Sequence, residues 1–239
     1  MSGINRLHAV EAAHLFIDKH FPHCQGASLA GSVVRGEATE TSDLDLVIFD
    51  QSILASYRES YIAFDWAIEV FVHNLLSYKL YFESDVKRAR PFLPKMVSEG
   101  IILKGKDVIE PIKKEAKELL DNGPEEWIEE MVKLKRYFIT DALDDFVGCS
   151  DRAEELFIAN TLAELVSEFV LRTNRKWVGN SKWIVRSLKN YNPEFTNAFV
   201  EAFDTYYKTR DKTNVIEVVE KVLKPFGGKL FEGFSLGKD

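Results

Sequence analysis

The stretch that decides the reading is Leu29-Ala-Gly-Ser-Val-Val-Arg-Gly-Glu-Ala-Thr-Glu-Thr-Ser-Asp-Leu-Asp-Leu-Val-Ile-Phe49. A short apolar run enters the Gly31-Ser32 turn. After ten intervening residues, Asp43 and Asp45 alternate with Leu44, Leu46 and Ile48. Alternation at period two marks a strand, so the two aspartates share one face and the aliphatic residues the other. Carboxylates so spaced lie about 7 Å apart at the backbone. That lets them converge on divalent ions, and Mg²⁺ takes carboxylate and phosphate oxygens. Gly31 permits close backbone approach, and the turn offers the Ser32 hydroxyl and N–H groups to an anion. These are the parts that hold a metal-bound nucleoside triphosphate. Standing alone, paired aspartates are more simply a solvated strand face. The upstream turn and a third carboxylate argue otherwise.

The third carboxylate lies in Phe64-Asp-Trp-Ala-Ile-Glu-Val-Phe-Val72. Ile68, Val70 and Val72 alternate with Ala67, Glu69 and Phe71. A charge mid-strand is costly unless paired or bound to a metal, so Glu69 is the expected third metal ligand. Asp65 shares its parity but sits at the strand's start, where a solvated carboxylate is unremarkable.

Gly-Ser, a ten-residue spacer, Asp-x-Asp on a strand and a later strand carboxylate resemble the DNA polymerase beta-like nucleotidyltransferase superfamily. Gly31-Ser32-Val-Val-Arg35 followed by Ser42-Asp43-Leu-Asp45 looks most like the kanamycin nucleotidyltransferase and its antibiotic-modifying relatives. The motif covers about residues 26–72. The kanamycin enzyme has Asp-x-Glu where this chain has Asp43-Leu-Asp45. That departure leaves metal binding intact and bears on the substrate. The resemblance implies two Mg²⁺ ions on Asp43, Asp45 and Glu69, with ATP or another nucleoside triphosphate as co-substrate. Gly31, Ser32, Arg35 and Ser42 would hold the phosphates. A guanidinium beside phosphate oxygens is a strong pairing, which supports Arg35 in that role.

The rest of the chain bounds this reading. At 239 residues it holds one large domain or two smaller ones. A net charge of −7 disfavours a nucleic-acid partner, which calls for a basic footprint. Cys24 and Cys149 are too few and too distant for a disulfide framework or zinc site. Ile4, Leu7, Val10, Ala13, Phe16 and Ile17 predict an amphipathic first helix ending before Pro22, not a signal peptide. No apolar run approaches the ~20 residues of a membrane span, so no membrane partner is expected and the expected setting is cytoplasmic.

Strands are expected near Ser28–Ala30, Leu44–Phe49, Ala67–Val72 and Ile101–Leu103. A helix should follow the Gly31-Ser32 turn, another should link the second and third strands, and a third should span Leu75–Ala89. Beyond Pro111 the pattern turns helical, over 112–121, 125–147, 151–174, 193–207 and 212–223. Trp127, Met131, Leu134, Phe138 and Ala142 form an expected buried stripe. The fold class is therefore an α/β (α+β) nucleotidyltransferase domain with a small mixed sheet, followed by an all-α helical bundle. The expected domains are 1–110, catalytic, and 111–239, acceptor-binding. The Gly-rich tail from Phe226 to Asp239 should pack loosely.

Arg172, Arg175, Lys176, Lys182, Arg186 and Lys189 form a basic run, with no acidic residue between Glu168 and Glu194. One reading has Lys182 reaching the triphosphate, the other a solvated helix face with Trp177 and Trp183 in the core. Transfer to a hydroxyl wants a base, which the resemblance assigns to the helical domain. Glu155 stands slightly ahead of Asp141 and Asp145 as catalytic base. All five histidines precede residue 110, so the helical half carries no Arg-x-x-x-x-His ribonuclease signature. The expected function is transfer of AMP from ATP to the hydroxyl of a small, aminoglycoside-like molecule. A nucleotide-binding regulatory protein and a protein-nucleotidylating enzyme are the alternatives. A homodimer, in which the bundle completes a neighbouring chain's cleft, stays open.

Overall fold

The computed structural model describes residues 6–237; Ile4, Lys238 and Asp239 lie outside them. The chain divides into two compact units, Met1–Asn122 and Gly123–Asp239.

The first unit begins with α1 (Ala9–His20), whose Ala12, Ala13, Phe16 and Ile17 are buried on one face. Burying a side chain the size of Phe16 or Ile17 contributes about 1.5–3 kcal/mol each. Five strands follow: β1 (Gly26–Ala30), β2 (Leu44–Phe49), β3 (Tyr57–Ala63), β4 (Trp66–His73) and β5 (Ile101–Lys104). They form one mixed sheet in the order β3-β4-β2-β1-β5. Only β2 and β4 pair in parallel; the other neighbours are antiparallel. Leu44, Leu46, Ile48, Ile68, Val70 and Val72 pack with α1 in one core. Val47, Phe49 and Phe71, at the opposite parity, pack in a second core. That core is completed by α2 (Ser77–Lys87), α3 (Phe92–Glu99) and α4 (Lys106–Asn122). The central strands are thus apolar on both faces except where Asp45 and Glu69 interrupt the second one.

The expected linking helix is instead β3. Its hairpin to β4 turns on Phe64 and Asp65, both at positive φ (54° and 59°), between the paired Ala63 and Trp66. Two left-handed residues make the turn whose twist matches antiparallel strands. Nothing about Phe64 advertises that conformation, so the turn itself is silent in the sequence. Pro111 is no joint either: it lies inside α4, and the division comes after Asn122 rather than after Glu110. Gly123, at φ +72°, stops the helix in the left-handed conformation that glycine adopts without strain.

The second unit contains α5 (Glu129–Gly148), α6 (Arg152–Thr173), α7 (Lys182–Tyr191), α8 (Pro193–Thr209) and α9 (Thr213–Leu223). Its described residues form no strand, as expected. Along α5 the buried apolar residues are Ile139, Leu143 and Phe146, while Phe138 is exposed, so the expected stripe is displaced by one position at its C-terminal end. The tail is docked, not loose. Phe234 stacks on Tyr137 at 3.9 Å, Leu230 N–H donates to Thr140 Oγ1 at 2.9 Å, and Lys229 pairs with Asp144.

Candidate functional site

Asp45 and Glu69 are register partners across the parallel β2–β4 pair, and Asp43 sits one residue before β2. Parallel strands run about 4.8 Å apart. In this sheet one carboxylate oxygen from each of Asp43, Asp45 and Glu69 lies within 4.8 Å of the others. All three side chains are half-buried. The Asp45 carboxyl is pushed up to about 6, first by burial and then by Asp43 and Glu69, with Arg35 and Arg58 opposing. Mutually repelling hard oxygens at one point suit a divalent cation such as Mg²⁺.

The turn that follows β1 is shaped around this cluster. Gly31 has φ +81°, and a Cβ there would lie 2.0 Å from Asp45 Oδ2. Only glycine lets the backbone pass the carboxylate so closely. The expected helix after the turn does not form. Residues 32–36 are a turn closed by Glu37 N–H donating to Ser32 O at 2.9 Å, and Gly36, at φ +70°, ends it. Ser42 ties the loop together, its Oγ accepting from Thr39 N–H at 2.8 Å and from Ser32 Oγ at 3.2 Å. Gly31, Ser32 and Ser42 are therefore gathered beside the carboxylates by a loop bonded to itself.

Arg35 projects from the same turn. It pairs with Glu37 at 3.1 Å and with Glu99, whose carboxyl burial pushes up and Arg35 draws back down. A phosphate would have to compete with these carboxylates for it. Arg58 of β3 pairs with Glu69 and lies 4.8 Å over the Phe71 ring. Sequence reasoning missed Arg58, because it read this stretch as a linking helix. The alternation in Tyr57-Arg-Glu-Ser-Tyr-Ile-Ala63 was the available signal.

In the helical unit Glu155 is only 2% exposed and is engaged by Lys212 at 3.0 Å, Arg210 at 3.1 Å and Arg152 at 3.5 Å. Its hydrogen bond with Lys212 is the main reason its carboxyl lies below the usual range, against the opposing pull of burial. A carboxylate so held is a poor proton acceptor, which argues against Glu155 as a base. Instead it ties the start of α6 to the α8–α9 junction. Asp141 and Asp145 are exposed on α5. Lys182 is the exposed first residue of α7. The basic run is not a continuous surface, since Arg172 is 7% exposed and covers Trp127 at 5.3 Å. Among the described residues no helix is long and apolar enough to cross a membrane.

No family model matches the sequence, and no curated protein matches it. Among solved structures the chain is similar to a nucleotidyltransferase-like protein from Exiguobacterium sibiricum 255-15. The two are 10% identical with a TM-score of 0.47, over 91% of this chain and 75% of the other. The three carboxylates and the Gly31 turn, rather than this likeness, define the site.

Proposed function

We propose that this chain is a divalent-metal-dependent nucleotidyltransferase that moves a nucleoside monophosphate, AMP from ATP, to a hydroxyl of a small molecule. The observation that carries this is the convergence of Asp43, Asp45 and Glu69 on one point, with the Gly31 turn running past Asp45. These carboxylates would hold the metal, two Mg²⁺ ions in the full site. Bound there, the metal supplies an activated acceptor oxygen and neutralises charge on the departing pyrophosphate. Ser32 and Ser42 offer hydroxyls and the turn offers N–H groups to phosphate oxygens, while Arg35 exchanges a carboxylate for a phosphate. Asp141, Asp145 and Glu154, all exposed, favour a cationic acceptor such as an aminoglycoside. The proposed setting is the cytoplasm.

The test is Asp43→Asn. Pyrophosphate release from ATP, Mg²⁺ and an acceptor should fall by at least about a hundredfold, the scale on which one electrostatic stabiliser acts, with the melting curve still cooperative. Wild-type turnover from that variant would sink the assignment. Labelled ATP in a lysate sorts the alternatives. Label on small molecules supports the proposal, label on a protein band a protein-nucleotidylating enzyme, and binding without turnover a regulatory protein.

A further inference from the structure

Glu69 is already paired, and its partner is free to let go. Arg58 stands on β3, the edge strand, opposite Phe71 in the register. Its side chain is 56% exposed while that of Glu69 is 24% exposed. The guanidinium lies 4.8 Å over the Phe71 ring and reaches Glu69 Oε2. Arg35, the cation of the turn after β1, is committed to Glu37 and Glu99. As a stabilising ion pair on an exposed edge, Arg58–Glu69 counts for little. As a countercharge to three converging carboxylates, it is placed where a cation is needed.

Resting on the assignment of Asp43, Asp45 and Glu69 as metal ligands, we propose that Arg58 is a resident counter-cation. It holds Glu69 until a divalent ion takes that carboxylate, and so sets how tightly the site loads its metal. The same oxygen cannot serve both cations at full strength, and like charges drive them apart. Release costs Arg58 little, because an exposed guanidinium regains water and keeps the Phe71 face. Arg58 is thus a positioning residue for the metal site.

The experiment is calorimetric titration of Mn²⁺ into the metal-free full-length protein, with Asp43→Asn as the reference for the site. Arg58→Ala should bind Mn²⁺ at least about fivefold tighter than wild type, the lower end of ordinary coupling between two ligands. Arg58→Lys, which keeps the charge, should stay close to wild type. Without metal, Arg58→Ala should melt below wild type, and Mn²⁺ should raise its melting temperature by more than it raises the wild type's. Unchanged or weaker affinity in Arg58→Ala, with binding lost in Asp43→Asn, overturns the role of Arg58 and leaves the site standing. Binding that survives Asp43→Asn, or none in wild type, overturns both.

Discussion

Asp45 shows at the scale of one residue how a half-buried carboxylate strains its fold. Burial, then Asp43 and Glu69, push its carboxyl up to about 6 in the folded chain, from 3.8 for the free group. The folded state therefore keeps a proton that the unfolded chain loses between these values. Stability from this group is greatest below that window and falls as pH rises through it. At neutral pH the charge costs at most about 3 kcal/mol, from ~1.4 kcal/mol per pH unit, less what solvent screens at a half-buried site. Asp45→Asn should thus raise the melting temperature of metal-free protein at pH 7.5, lose most of that gain near pH 4, and no longer bind Mn²⁺. Melts at the two pH values in the presence of a chelator decide it. A variant less stable than wild type at pH 7.5 would contradict the charge-strain account. Asp45 and Glu69 were legible in the sequence because a strand interior tolerates few carboxylates, and Asp43 through its spacing from Asp45 and from the Gly31-Ser32 turn. Arg58 was not, since an arginine on an edge strand breaks no rule.

Among the elements, two central strands and three helices were read to their limits, while α7 was not expected. The β2 and β4 patterns and the α6, α8 and α9 spans match their expected limits within two residues. The misses are local conformations that depend on distant partners. The turn at 32–36 is held by bonds from Glu37, and by the Ser32–Ser42 contact ten residues on. The β3 strand exists because β4 offers it a full antiparallel register. Glu155 belongs to this scale too. On a helical face running into the core it reads as a site residue, yet Arg210 and Lys212, more than fifty residues later, make it a structural anchor. Glu155→Gln should lower the melting temperature and leave kcat for transfer unchanged. Its depressed carboxyl contributes stability above the ordinary carboxylate range, lost as pH falls through the folded value. The wild type should therefore lose more stability than Glu155→Gln between pH 6 and pH 3. A large loss of kcat with unchanged melting would restore Glu155 as a base.

For the whole molecule, the three carboxylates stand in the first unit and Lys182 in the helical unit. Lys182 is exposed, so Lys182→Ala should leave the melting temperature within about 2 °C, as surface changes within ±0.5 kcal/mol do. If the helical unit takes part in holding the triphosphate, the variant should raise KM for ATP several-fold. An unchanged KM would confine nucleotide binding to the first unit.

By itself the sequence determined the α/β-then-α order, the two central strands and the three carboxylates. Those features rest on local periodicity and on the cost of charge among apolar neighbours. Tertiary structure alone decided that Gly31 must lack a side chain because of Asp45, and that Arg58 meets Glu69. It also decided that Glu155 is spent on three cations, and that the tail docks on α5. Each of these is a contact between residues that chain order keeps apart. Composition carries no record of such contacts, because their free energy appears only once both partners are in place.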